Sequence, residues 1–136
     1  MKIFTQAIVA AGLMIAGTAT AVAQSDPFPD QNNYQCYQVE KVDPASVNEK
    51  VKVEDQFGGY GQFVANLVTV CNPVSINGEP IANKEAHLTC YRTDPNNDGD
   101  LEPQTVAVYN RFGEAKVALR RVATLLCVTA KKEHLR

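Results

Sequence analysis

Hydrophobic and polar residues alternate one by one over two stretches of the chain, residues 51–57 and 105–112. In each stretch the valines share one face with a terminal phenylalanine, while mostly polar side chains occupy the other face. A two-residue period of this kind is typical of a half-buried β-strand. A glycine follows both Phe57 and Phe112, which predicts a turn. We expect the two phenylalanines to occupy equivalent buried positions.

Other segments recur at almost the same distance along the chain. Gln35-Cys36-Tyr37 returns as Thr89-Cys90-Tyr91, and Val68-Thr69-Val70-Cys71 returns as Thr124-Leu125-Leu126-Cys127. We interpret residues 34–130 as a single domain built from two copies of one unit. The copies span residues 34–74 and 86–130, with a connector at 75–85.

Apolar stretches rich in β-branched residues, at 62–71 and 116–128, complete each copy. Residues 34–41 and 87–93 supply the opening strand of each copy. In the second apolar stretch, residues 115–123 would also fit a short helix. Three or four strands per copy predict an all-β domain of six to eight strands. A sandwich or barrel with pseudo-twofold symmetry is the expected architecture.

The first 23 residues have the form of a secretory signal peptide. A basic start is followed by an apolar stretch over residues 7–17 and by Ala21-Val22-Ala23, a small-x-small cleavage site. The stretch is shorter than the roughly 20 residues that span a bilayer, so we predict cleavage rather than a membrane anchor. The mature protein is expected to be secreted or periplasmic, with a flexible lead-in at 24–33.

Four cysteines in an exported chain predict two disulfide bonds. None lies in a C-x-x-C pair and the chain has only two histidines, which disfavours zinc and redox motifs. Pairing within the copies joins Cys36 to Cys71 and Cys90 to Cys127. Pairing across them joins Cys36 to Cys127 and Cys71 to Cys90. We favour the first, because a unit that was once duplicated should have carried its own bridge.

The charge of the chain disfavours some classes of partner. The formal net charge is −2. Once Lys2 leaves with the signal peptide, 12 basic residues face 15 acidic ones. This balance gives no footprint for nucleic acid or for anionic lipid. The basic tail at 131–136 is interpreted as a solvated chain end.

An acidic stretch within the second copy has the spacing of a calcium loop. Its candidate ligands are Asp94, Asn96, Asp98, Asp100 and Glu102. Gly99 stands at the sixth position, as an EF-hand-like loop requires, but Thr105 stands at the twelfth instead of a bidentate acid. We expect an ion-free hairpin turn, with weak calcium binding as the alternative, and no other cofactor.

Two further residues are candidates for function. His87 precedes Thr89 and Tyr91 on one strand face, which would suit a small extracytoplasmic hydrolase or an inhibitor of one. A lone histidine beside a disulfide is more often structural. The Gly58-Gly59-Tyr60-Gly61 segment could present Tyr60 to a ligand, although a plain hairpin turn explains the glycines as well.

The joining segment resembles a family of secreted bacterial domains of unknown function. The resemblance rests on Cys71-Asn72-Pro73-Val74, Asn77-Gly78, His87-Leu88-Thr89-Cys90-Tyr91, Asn110-Arg111-Phe112-Gly113 and Leu125-Leu126-Cys127-Val128. In that family a Cys-Tyr strand, an (Asp/Asn)-Gln-Phe-Gly segment and a Leu-Cys-x-Pro ending occur in duplicate. This chain departs at Arg111, where glutamine is usual, and at Thr129. The resemblance implies an extracytoplasmic, disulfide-bearing β domain and no particular activity.

The sequence shows no catalytic constellation. We therefore expect a non-catalytic secreted β module that binds or builds structure at the cell exterior. Its partner would be an extracellular or periplasmic protein or a glycan, with no nucleic acid and no membrane association in the mature form. The alternative is the hydrolase or hydrolase inhibitor, with His87 near the site.

Overall fold

Seven strands and no helix make up the part of the chain that the structure describes. The computed structural model describes residues 26–43, 47–95, 103–120 and 123–135. The strands are β1 (Asn33–Gln38), β2 (Glu49–Asp55), β3 (Gly58–Val74), β4 (His87–Pro95), β5 (Gln104–Asn110), β6 (Gly113–Leu119) and β7 (Leu125–Ala130). The all-β class is confirmed, and a helix beginning at residue 115 is wrong because β6 continues to Leu119. The predicted signal peptide lies outside the described residues.

The strands form two antiparallel sheets. The larger sheet has the order β1-β3-β4-β7, with β2 beside the first part of β3, and the smaller sheet is the β5–β6 hairpin. Strand β3 has 17 residues, so it can pair with β2 and β1 in succession along one edge and with β4 along the other. The larger sheet is open, since β1 and β7 do not pair with each other. Of the two expected architectures, the described residues therefore do not form the barrel.

The two halves of the chain pair their strands in matching registers. The β2–β3 hairpin, here called the first hairpin, has seven opposed residue pairs, and so has the β5–β6 or second hairpin. Strand pairs β1–β3 and β4–β7 have six opposed pairs each. Two copies of one unit would produce such equality. Their common origin stays a prediction.

Equivalent hydrogen bonds shape the turns of the two hairpins. The backbone N–H of Phe57 donates to Asp55 Oδ1 over 2.8 Å, and that of Phe112 donates to Asn110 Oδ1 over 2.8 Å. The glycine that follows has a φ of 137° in the first turn and 122° in the second. Residues with a Cβ rarely adopt this conformation, so the Phe-Gly pair in the sequence does mark each turn.

Both disulfides join residues that face each other on neighbouring strands. Cys36–Cys71 joins β1 to β3 with the Cα atoms 3.9 Å apart, and Cys90–Cys127 joins β4 to β7 with the Cα atoms 4.0 Å apart. The preferred pairing of Cys36 with Cys71 and of Cys90 with Cys127 is therefore confirmed. The register between β3 and β4 places all four cysteines on one face of the sheet. This row of bridges ties each end strand to its inner neighbour.

The buried core is small and lies along β3 and β4. Its members are Tyr60, Val64, Cys71 and Cys90, with the polar residues Gln62, His87 and Thr93. The expected burial of the two phenylalanines is wrong, because Phe112 is 85% exposed and Phe57 is only half-buried. Each ring belongs to a turn, one residue beyond the last strand pair, where no neighbouring strand covers it.

Candidate functional site

His87 is buried at the start of β4 and has an amide as its partner. Its Nδ1 lies 3.2 Å from Asn72 Oδ1, which also accepts a hydrogen bond from Lys132 Nζ over 2.7 Å. An amide oxygen can only accept, so this contact assigns the proton to Nδ1. An amide can orient an imidazole but cannot exchange a proton with it. The hydrogen bond of His87 is thus made to an amide and not to the carboxylate or hydroxyl of a catalytic pair.

Tyr60 belongs to a strand and not to a loop. The Gly58-Gly59-Tyr60-Gly61 segment opens β3, and Tyr60 lies directly opposite Val53 of β2. Its side chain is 8% exposed. The ring contributes to the core instead of meeting a ligand at the surface, so the segment corresponds to the hairpin alternative and not to an exposed contact loop.

Only one of the candidate calcium ligands falls within the described residues. Asp94 is exposed near the end of β4, opposite Phe63 of β3. Asn96, Asp98, Asp100 and Glu102 lie outside the described residues. In the part of the chain that the structure describes, no three histidine, cysteine or acidic side chains converge as a metal site would require. Calcium binding stays a prediction.

The best-defined polar cluster is centred on Arg111, in the turn of the second hairpin. Its Nη2 lies 3.0 Å from Asp26 Oδ2 and also bonds to Glu79 Oε2. The arginine side chain is 10% exposed, while Asp26 is 21% and Glu79 is 54% exposed. Ion pairs that are partly shielded from water attract more strongly than fully solvated ones. The cluster thus joins the lead-in, the connector and the second hairpin.

Hydrogen bonding shifts the ionisation of the pair. The pKa of Asp26 is lowered, first by the backbone N–H of Phe28 that its carboxylate accepts and then by the Arg111 guanidinium. The pKa of Arg111 is raised, first by Glu79 and then by Asp26. Both residues are therefore held in their charged forms. One guanidinium between two carboxylates leaves the cluster with a net negative charge, and the Arg111 Nε is buried with no hydrogen-bond partner among the described residues.

Amide side chains fix the lead-in beside this cluster. Asn33 Nδ2 donates to Asp26 Oδ2 over 3.3 Å. Asn32 exchanges two hydrogen bonds with the backbone of Asn83: its Nδ2 donates to the carbonyl over 2.7 Å, and its Oδ1 accepts from the N–H over 2.9 Å. Residues 26–33, which the sequence presents as a flexible lead-in, therefore have specific partners in the connector and in the second hairpin.

A cleft of about 240 Å³ opens beside Arg111 and carries three exposed rings. Phe28, Tyr109 and Phe112 line it and are 62%, 60% and 85% exposed. The other lining residues are mostly polar: Asp26, Pro27, Gln31, Asn32, Asn33, Asn110 and Arg111. Exposed aromatic rings gathered around one cleft are typical of contact surfaces, because contiguous apolar area is costly to leave in water. We call this feature the aromatic cleft.

A second cleft, of about 690 Å³, lies on the other side of the same cluster. It shares Asp26, Gln31 and Asn33 with the aromatic cleft and continues past Glu79 and Pro80. The Arg111 cluster therefore forms the wall between two open depressions. A ligand made of several linked rings could extend from one cleft into the other.

Sequence reasoning missed the aromatic cleft because its residues come from distant segments. The lead-in and the second hairpin are separated by most of the domain, and only the folded chain brings them together. One signal was present: Arg111 stands in the second turn at the position that Gln56 occupies in the first. A charged residue that the matching turn lacks is a candidate for a contact specific to the second hairpin.

No protein-family profile, curated protein or solved structure matches the chain. Within the described residues, no helix is long and apolar enough to cross a membrane.

Proposed function

We propose that this protein is a non-catalytic, secreted binding module whose ligand occupies the aromatic cleft. The observation that carries the proposal is the grouping of Phe28, Tyr109 and Phe112 around one cleft. Arg111 lies in the same cleft, and its charge is balanced by carboxylates. The two disulfides support an extracytoplasmic location, because such bonds persist in oxidising compartments. Descent of the two halves from one duplicated unit is part of the proposal, and the equal numbers of opposed residue pairs in the two halves are compatible with it.

The chemistry of the cleft favours a neutral glycan as the ligand. The C–H faces of sugar rings stack on aromatic side chains, and sugar hydroxyls exchange hydrogen bonds with amides. Gln31 and Asn110 line the cleft with amide side chains, and the Oδ1 of Asn110 already accepts the backbone N–H of Phe112. Arg111 offers little attraction to an anion, because two carboxylates already neutralise it. The hydrolase alternative gains no comparable support from the surroundings of His87.

Binding to neutral oligosaccharides tests the proposal. The protein would be expressed from its full sequence, so that any processing takes place, and screened on a glycan array. Oligosaccharides that bind on the array would then be titrated by calorimetry. We expect Phe112→Ala to weaken binding at least about tenfold, as loss of a contact ring does at a hot spot. Phe57→Ala is the matched control, since it removes the equivalent ring from the other turn and should leave affinity unchanged. Failure of every neutral glycan to bind, or equal losses in both variants, would contradict the proposal.

A further inference from the structure

We propose that the protein self-associates edge to edge, with strand β7 of one copy pairing with β1 of the next. These two strands end the larger sheet, and among the described residues each pairs with a strand on one side only. A free strand edge presents a row of backbone donors and acceptors that another strand can satisfy. The occupant that we infer is a second copy of this chain.

Neither end strand carries the charges or prolines that often keep an edge from pairing. The sequences of β1, NYQCYQ, and of β7, LLCVTA, contain no charged residue and no proline. By contrast β2, which also has a free edge, reads EKVKVED and carries five charged residues. Soluble proteins use charges and prolines to block unwanted strand addition. Within one sheet, therefore, β2 is protected and the two end strands are open to a partner.

The contact between β3 and β4 shows how such a partner would fit. Strand pairs β1–β3 and β4–β7 follow one another across the sheet, and each is closed by a disulfide at a directly opposed pair. If a second copy continued this succession, β7 of the first copy would be in the position of β3. Strand β1 of the second copy would be in the position of β4. Strands β3 and β4 pair with each other inside the chain. The free edges of β7 and β1 are therefore the corresponding surfaces, still available for the next copy.

The internal contact also gives the expected register between chains. Thr69 of β3 lies opposite Cys90 of β4. The corresponding residues of the end strands are Leu125 and Cys36, because the disulfide registers of the two strand pairs are the same. Antiparallel pairing then also places Cys127 opposite Tyr34.

The backbone groups at these positions point in the required direction. Val39 N–H donates inward to the Val68 carbonyl, and the Thr124 carbonyl accepts inward from Thr93 N–H. In an antiparallel sheet, alternate residues direct their backbone groups to opposite neighbours. Outward-facing groups therefore belong to Tyr34, Cys36, Leu125 and Cys127. The register taken from the β3–β4 contact brings these residues together as hydrogen-bonded pairs.

Pairing β7 with β1 joins unlike surfaces of two identical chains. Such head-to-tail contacts produce a ring when the rotation closes and a longer chain when it does not. Two copies together contribute eight strands through β1, β3, β4 and β7, a number that can close into a barrel filled by side chains. Dimers and larger assemblies are both products of this contact.

Concentration-dependent amide exchange is the direct test. Sedimentation velocity on protein expressed from the full sequence should show monomers converting to dimers or larger species as concentration rises. Over the same range, NMR-detected exchange at Cys36 and Cys127 should slow at least about tenfold. The inward-facing amides of Gln35 and Val128 are the internal controls, because they should be protected throughout. A protein that stays monomeric, or outward amides that do not respond, overturns the proposal.

Proline variants distinguish head-to-tail pairing from other association. Leu125→Pro removes an outward N–H from β7, and Tyr34→Pro removes one from β1, while the inward bonds of both strands remain. We expect each variant alone to be monomeric and an equimolar mixture to give only a 1:1 heterodimer, since each retains the edge that the other lacks. Association of a single variant at wild-type strength, or a mixture that stays monomeric, contradicts this geometry.

Folding and ligand binding provide the controls for these variants. Intact mass must show both disulfides, and Leu125→Lys, which places a charge on the edge, replaces Leu125→Pro if the latter does not fold. Phe112→Ala should associate like the wild-type protein, because its side chain lies in the turn of the other sheet. Glycan binding by Leu125→Pro should be unchanged. Failure of either proposal can therefore be recognised separately.

Discussion

The first and second hairpins have the same length and turn, but their strands continue differently. In the first hairpin β3 runs on without interruption into the larger sheet, whereas in the second β6 ends at Leu119 and β7 begins only at Leu125. The consequence is seen in burial. Tyr60 and Val64 are buried in the first hairpin, while the corresponding Ala115 and Leu119 are exposed in the second.

The turns differ in the opposite sense. Gln56 in the first turn is exposed, whereas Arg111 at the equivalent position is mostly covered and paired with two carboxylates. The same backbone register is thus supported by a core in one half and by ion pairs in the other. The turn of the second hairpin contributes no residue to the buried core. Phe112 is therefore exposed beside Arg111, and both residues line the aromatic cleft.

Removal of either disulfide should lower the free energy of unfolding more than any other change proposed here. The loss should be similar for the two bridges. Loops of 35 and 37 residues correspond to about 3–4 kcal/mol each in the chain-entropy model. We expect similar losses of unfolding free energy for the double variants Cys36→Ser/Cys71→Ser and Cys90→Ser/Cys127→Ser in chemical denaturation. Losses that differ by more than about 2 kcal/mol would show that one half is far less dependent on its bridge.

Truncation of an aromatic ring should change the free energy of unfolding by different amounts in the two hairpins. Tyr60→Ala removes a buried ring and should lower the free energy of unfolding by about 3 kcal/mol, within the usual range for buried aromatics. Phe112→Ala removes an exposed ring and should change it by less than about 0.5 kcal/mol. Urea denaturation measures both changes. A large loss for Phe112→Ala would mean that the second turn is packed against the rest of the protein.

The strands and the disulfides were predictable because both follow from local or repeated patterns. Alternation located β2 and β5, and the repeat selected Cys36–Cys71 and Cys90–Cys127 from the possible pairings. The burial of Phe112 was mispredicted because alternation cannot show that a turn projects beyond its sheet. The Arg111 cluster depends on Asp26 and Glu79, which no local pattern connects to it. Long-range polar contacts of this kind become visible only in the fold.

Exchange of the turn residues tests the role of the ion pairs. Arg111→Gln makes the second turn like the first and should lower the melting temperature, by less than Tyr60→Ala does, because Asp26 and Glu79 lose their shared partner. Amide exchange in β5 and β6 should become faster in this variant. Gln56→Arg in the first turn is the reciprocal control. If it stabilises the protein as much as Arg111 does, the contact is not specific to the second hairpin.

Acid should have the same effect as the Arg111→Gln substitution. The folded-state pKa of Asp26 is lowered, so its contribution to stability is present above its unfolded value of about 3.9 and is lost as the pH falls through the lowered folded value. Melting curves below about pH 4 should therefore show a decline in the wild-type protein that is smaller in Asp26→Asn. Identical acid profiles for the two proteins would remove Asp26 from this role.

The smallest effect is expected at the acidic stretch after β4, which has no counterpart in the first half. Without a bidentate acid at the twelfth position, any calcium site formed by Asp98 and its neighbours should be weak, with a Kd of about 10⁻⁴–10⁻³ M. We expect millimolar calcium, compared with chelator, to leave the melting temperature of the wild-type protein and of Asp98→Ala unchanged. A calcium-dependent rise that Asp98→Ala abolishes would instead establish a cation site in this stretch. Asp55→Ala, in the first turn, controls for non-specific loss of an acidic side chain. Because a ligand that binds only the folded state raises stability by RT ln(1 + [L]/Kd), even a weak site would be detected at calcium concentrations above its Kd.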